Sequence, residues 1–212
     1  MTLWITFLGL LFGIPTGLIL ALGRLSPLRP LSLLATIVVE TVRGTPLLLQ
    51  IFAIYFVLPS LGISLPQFVA AIVALSLNSA AYLAEIFRAG IGSIDVGQME
   101  AARAVGMSSR QAMRWVILPQ ALRRVLPPLT NEAVALLKDS SLISIIGLSE
   151  LMRVGREQAS NSGSPITIVL ALALLYLVMT LPLTHLVHRL EARWEPISRP
   201  RARGGRSQRA SS

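Results

Sequence analysis

Three charged side chains interrupt an otherwise apolar run. Glu132, Lys138 and Asp139 lie within Pro127–Leu148. On a helix, Glu132 and Asp139 are seven residues apart and share a face, while Asn131 and Lys138 share the neighbouring one. Ser140, Ser141 and Ser144 add hydroxyls. Carboxylates accept hydrogen bonds from an ammonium, and an ammonium donates to a carboxylate. Such a set suits a small zwitterion moving past the helix. It equally suits a network that ties helices together, with the hydroxyls bonded to their own backbone. Asn78, Ser79 and Tyr82, in "LNSAAYLAEIFRAGI", form a second polar strip with the same two readings. Glu40 with Arg43, and Glu85 with Arg88, are each three apart and predict intrahelical pairs near one end of their segments.

Other chemistries are excluded by counting. There are no cysteines and only two histidines, His185 and His188, so Cys-ligated zinc, iron–sulfur and His-rich sites are ruled out. A Ser–His or paired-aspartate membrane enzyme lacks its partners: both histidines sit at the far end of the last apolar run, and Asp139 is the one aspartate in an apolar segment. Lys138 is the single lysine and stands between Leu137 and Asp139, so no Gly-x-x-x-x-Gly-Lys-Ser/Thr phosphate loop exists.

The elements that carry these groups are membrane helices. Charged residues make up 14% of the 212-residue chain, against about 25% in soluble domains. A helical span needs about 20 mostly apolar residues. Five segments qualify, approximately residues 3–22, 31–58, 66–87, 127–148 and 166–187. They are continuous runs, not the short alternating strands of a membrane barrel. The fold class expected is therefore an all-α polytopic membrane domain over residues 1–195. The first run has its arginines, Arg24 and Arg29, after it and no small-residue cleavage site, so it reads as a retained span rather than a signal peptide. Within the second, Pro46 disfavours helix at Thr45 and predicts a break at "RGTP".

Basic residues orient the bundle. Fifteen of the nineteen fall in the first and third connections and the tail, whereas the fourth connection holds only Arg153 and Arg156. The N-terminus is expected outside and the C-terminus in the cytoplasm. The net charge of +9 thus belongs to a cytoplasmic face beside membrane lipid, and nucleic acid is not an expected partner. Residues 196–212, "PISRPRARGGRSQRASS", show no apolar periodicity and predict a disordered Arg-rich tail.

The third connection is too long for a simple linker. Across residues 95–119, Asp95 with Gln98 and Ser108 with Gln111 have capping-box spacing. Gly106 lies between them, where a left-handed residue ends a helix. Two short helices are predicted, the second carrying Met113, Val116 and Ile117 on one face and limited by Pro119. Ala101 and Ala102 would offer a low-relief surface to a partner. On pattern alone, a helix lying on lipid is an equal reading.

"EAARAVGMSSRQAMRWVILP" resembles the EAA loop of type I ABC importer permeases, with Glu100, Ala101, Ala102, Gly106, Leu118 and Pro119 matching and Val116 in place of isoleucine. "RGTPLLLQIFAIYF", "LNSAAYLAEIFRAGI" and "LLKDSSLISIIG" are similar to the branch that handles histidine, glutamate, glutamine, arginine and opines, so the resemblance covers roughly Leu3 to Trp194. It implies a transport subunit, not an enzyme, that imports a polar amino acid by alternating access in a bacterial inner membrane. The alternative is another small polar metabolite such as an opine. Glu100, Ala101, Ala102 and Gly106 would couple to an ATPase subunit present in two copies. That partner, not this chain, would hold ATP and magnesium, so no cofactor is expected here. The other implied partners are a second permease, identical or related, and an extracytoplasmic substrate-binding protein. Small residues at Asn78–Ala84 offer a surface for the second permease. Asn78, Ser79, Tyr82, Glu132, Lys138 and Asp139 would line the substrate path.

Overall fold

A computed structural model describes residues 1–161 and 164–194; the Arg-rich tail lies outside the described residues. Among these there is no strand. The first helix, α1 (Thr2–Arg24), shows how the bundle begins. Its buried face repeats every fourth residue: Ile5, Gly9, Gly13, Gly17 and Ala21. Such a stripe lets two backbones approach closely in a medium where apolar burial offers no preference. The neighbour is α4 (Gln67–Gly92). A Cβ built on Gly17 would stand 2.8 Å from both the Ala80 carbonyl oxygen and Leu83 Cβ, and one on Gly13 would stand 3.2 Å from Ser79 Cβ. This is the most extensive helix pair in the described chain. Asn78, Ser79, Ala80, Ala81, Leu83 and Ala84 are all buried in it or beside it. The small-residue surface expected to receive a second permease is thus occupied largely by the chain's own first helix.

The second expected span is two helices. α2 (Arg29–Arg43) and the segment Leu47–Leu61, which starts as α3 (Leu47–Phe52), meet at 104°. The break falls at "GTP", as Pro46 requires. Turning a chain there frees backbone carbonyls that lipid cannot satisfy, and one side chain meets the need. Gln50 Nε2 donates to the carbonyls of Val42 (2.8 Å) and Thr45 (3.1 Å). Beyond α3 the chain widens to a π-helix (Ala53–Val57) and tightens to a 3₁₀ turn (Leu58–Leu61).

α5 (Val96–Ala104) and α6 (Ser109–Ala112) form an elbow after α4. The chain then passes through a π-helical turn, Met113–Ile117, straight into α7 (Leu118–Asp139). Pro119 does not stop this helix. It occupies the first turn of α7, where a missing N–H costs nothing. The π-turn adds a residue to the repeat, so that Ala112, Ile117, Ala121 and Val125 are all buried. α7 carries Pro127 and Pro128 inside and gives way to a 3₁₀ segment, Ser140–Ile146. α8 (Leu151–Asn161) and α9 (Pro165–Trp194) complete the described chain.

Among the described residues, three helices, α1, α4 and Pro165–Val187 of α9, are long and apolar enough to cross a membrane, and the bent pair, taken as one span, makes a fourth. The fourth expected span, 127–148, maps onto the end of α7 and the 3₁₀ segment. Its charges and prolines set it apart from an independent lipid-facing helix, and it packs against α4 and α9. The central core gathers Ile5, Ile51, Leu75, Leu136 and Ile143 from α1, α3, α4, α7 and the 3₁₀ segment. α9 keeps only 6% of its apolar window buried within the chain.

Glu150 stands in the fourth connection, ahead of Arg153 and Arg156. It is 1% exposed and caps α8, accepting from the backbone N–H of Met152 (2.8 Å) and Arg153 (2.7 Å). Burial pushes its carboxyl above the ordinary value, and the two backbone donors pull only part of the way back.

Candidate functional site

The elbow is built from its caps. Asp95 Oδ1 accepts from the Gly97 N–H at 2.7 Å and starts α5. The capping box predicted with Gln98 is not made: the Gln98 N–H donates to the Asp95 carbonyl, and the Gln98 side chain accepts from Gln120 of α7 at 3.3 Å. The Ser108–Gln111 box is complete: the Ser108 N–H donates to Gln111 Oε1 (2.8 Å), and the Gln111 N–H donates to Ser108 Oγ (3.3 Å). Gly106 joins the two helices at φ +88°, with open space where a Cβ would stand. Glu100, Ala101 and Val105 are exposed, whereas Ala102 is buried and turns inward. The low-relief surface therefore runs through Ala101, Val105 and Gly106. Behind it, Met99 packs with Ile94, Ile117 and Ala121. That cluster joins α5 to the base of α7. Gly90 of α4 also lies against Val125 of α7, with no room for a side chain between them.

The polar residues do not form one line. Asn78 is 5% exposed and donates from Nδ2 to Gln50 Oε1 at 3.1 Å. Asn78 and Gln50 together hold the broken helix against α4. Ser79 is fully buried against Gly13 of α1 and lies beside Glu132 of α7. Glu132 is half-buried, while Asn131, Lys138 and Asp139 are exposed on this chain. Ser140 bonds back to the Leu137 carbonyl at 2.7 Å, the structural alternative foreseen for these hydroxyls. Tyr82 is 38% exposed. Apart from all of these, a depression of 340 Å³ lies between the 3₁₀ segment and α8, lined by Ser144, Ile145, Arg153, Arg156, Glu157 and Ser160.

Charge pairing also differs from the spacing rule. Glu85 and Arg88 do pair within α4. Glu40 and Arg43 do not pair with each other. Glu40 Oε1 meets Arg24 Nη2 at 3.3 Å, and Arg43 Nη1 lies 3.7 Å from Glu85 Oε2. Arg24 Nη1 also reaches Glu85 at 2.8 Å. One carboxylate thus gathers three guanidiniums from α1, α2 and α4. Spacing along one helix cannot reveal a hub whose spokes come from other helices. Gln50 and Arg24 were missed for the same reason.

A bent, small-residue-packed helical bundle with an exposed, capped elbow defines a class: a multi-pass helical membrane protein. The chain belongs to the family of binding-protein-dependent transport system inner membrane components, whose family model matches residues 13–196. It is 42% identical over 195 residues to the glutamine transport system permease protein of Escherichia coli (strain K12), covering 91% of this chain and 89% of that one. It is 40% identical over 191 residues to the arginine transport system permease protein of Bacillus subtilis (strain 168), covering 90% and 87%. Among solved structures, it matches a crystal structure of an amino acid ABC transporter with histidines at TM-score 0.86 and 43% identity, covering 91% of this chain and 90% of that one. An inward-facing methionine ABC transporter, at 24% identity and TM-score 0.65, shares the fold.

Proposed function

We propose that the chain is the permease subunit of an ATP-driven importer for a polar amino acid. The observation that carries this reading is the elbow, exposed on one side and packed through Met99 onto the base of α7 on the other. In this reading the N-terminus is outside and the elbow and C-terminus are cytoplasmic. A separate ATPase, two copies per complex, binds ATP with magnesium and seats Glu100, Ala101 and Gly106 in a cleft, while buried Ala102 holds α5 to the body. Closing of the ATPases draws two elbows together, one from this chain and one from a second permease, identical or related. The helices rock as rigid bodies, and the path between the two permeases opens to the opposite side. An extracytoplasmic binding protein delivers the solute.

The path is lined by Tyr82, Glu132, Lys138 and Asp139, with Asn78 and Ser79 forming the wall behind. Their donors and acceptors match the ammonium and carboxylate of an amino acid. The relatives named for glutamine and arginine support this solute class.

The test uses the reconstituted complex with Gly106→Pro, which cannot reach φ +88°, and Glu100→Arg. Both variants are expected to insert and bind lipid normally while hydrolysis continues without uptake. Uptake at the wild-type rate in both would overturn the coupling role.

A further inference from the structure

The π-turn and the base of α7 bear a flank that neither the core nor the outer surface of α5 uses. Trp115, Leu118 and Leu122 follow at three- and four-residue spacing and are 66%, 51% and 55% exposed. Arginines frame them. The Arg114 guanidinium stands 5.3 Å from the centroid of the Trp115 ring, in the range of a cation–π contact. Arg110 and Arg123, before and after it in the chain, are exposed as well. From Ala101 to Asn131 the chain has five arginines and no acidic residue. Arg124 donates to the Ser93 carbonyl; the other four form no ion pair among the described residues.

The neighbours fix the level of this flank. Gly90 of α4 lies against Val125, and Ser93, which receives Arg124, follows directly on the last residue of α4. Trp115–Leu122 is therefore level with the end of a spanning helix, where tryptophan and arginine anchor at the boundary with water. In water, a tryptophan and two leucines would be an uncovered apolar patch. In hydrocarbon, the arginines would be costly. An anionic phospholipid has both parts that this flank needs.

We infer that Arg110, Arg114 and Arg123, with Trp115, Leu118 and Leu122, seat an anionic phospholipid of the leaflet on the elbow's side. The guanidiniums meet the phosphate in charge-assisted hydrogen bonds. The leucines meet the acyl chains, and the Trp115 ring lies between, stacked on Arg114. The lipid and partner readings of the elbow thus belong to different faces: the π-turn to lipid, and the outer surface of α5 to a protein.

The experiment uses the permease–ATPase complex in phosphatidylcholine nanodiscs. The chain has three tryptophans, so Trp4→Phe with Trp194→Phe leaves Trp115 alone in it. Subtracting the same complex with Trp115→Phe added removes the fluorescence of the ATPase. Brominated phosphatidylglycerol and brominated phosphatidylcholine are titrated as quenchers. Phosphatidylglycerol is expected to quench Trp115 at a mole fraction about fivefold lower or less. Arg114→Gln is expected to reduce that preference about fivefold. Arg29→Gln, which removes an exposed arginine at the start of α2, is expected to leave it unchanged, as is removal of the ATPase. Equal quenching by the two lipids overturns the inference, and so does quenching by neither, which would mean that protein covers the flank. An equal loss in Arg29→Gln overturns it in favour of diffuse surface charge. Should the Trp4→Phe, Trp194→Phe background fail to assemble, phosphatidylglycerol with a photoreactive headgroup is crosslinked to the unmodified chain. Adducts within residues 110–123 are expected, and their absence overturns the inference. The solute takes no part in any of these measurements, so their failure leaves the proposed function standing.

Discussion

Glu150 shows what a single carboxyl does in this fold. Its folded-state value is raised, so the folded chain holds that proton more tightly than the unfolded chain. The sign follows: its contribution favours folding as pH falls through the raised value and opposes it as pH climbs above. Thermal unfolding of the purified protein is therefore expected to shift upward on mild acidification in wild type, with a smaller shift in Glu150→Gln. Glu150→Ala removes both caps on α8 and is expected to cost about 1 kcal/mol. Gly106 is a second residue with one physical role. Gly106→Ala meets no neighbour, so its expected cost, about 1 kcal/mol, comes from the left-handed backbone alone. A larger loss in the same assay would mean that the open space around Gly106 is filled in the working complex.

At the scale of elements, packing between α1 and α4 decides stability. A side chain at Gly17 meets a backbone carbonyl and a Cβ at 2.8 Å, neither of which can rotate away. Gly17→Val is expected to separate the two helices and destabilise by about 1–3 kcal/mol, read as a lower melting temperature in detergent. Gly62→Ala serves as the control, since no neighbour lies within 4 Å and only its backbone conformation is at stake. The elbow was legible in the sequence, because helix caps and a C-terminal glycine act within a few residues. The four-residue glycine repeat of α1 gains its meaning only from the packing of α4 against it. What escaped was relational. Glu40 and Arg43 have ideal spacing, yet they pair with other helices, because the bend at "GTP" carries Arg43 toward α4. Pro119 has the composition of a stop, yet it lies in a first helical turn, because the preceding π-turn resets the register. Ala102 looked like surface beside Ala101, and only the packing of α5 shows which of the two turns inward.

At the scale of the whole molecule, polar and apolar parts divide the work. The apolar face of α9 and the small-residue seam of α1 and α4 make the body that, in the proposed function, moves as one. Lys138 and Asp139 are exposed and Glu132 is half-buried, which the proposed function reads as a surface that a second permease would complete. In the proposed function the elbow links that body to a partner outside the membrane. The account stands on the side of the membrane to which the elbow faces. The chain has no cysteine, so Ala101→Cys gives one reactive site on the exposed elbow. The decisive measurement is its labelling by a membrane-impermeant maleimide in vesicles of known orientation. The account predicts labelling in inside-out vesicles stripped of ATPase, protection when the ATPase is added back, and none in right-side-out vesicles. Labelling from the outer side, unaffected by the ATPase, would contradict it.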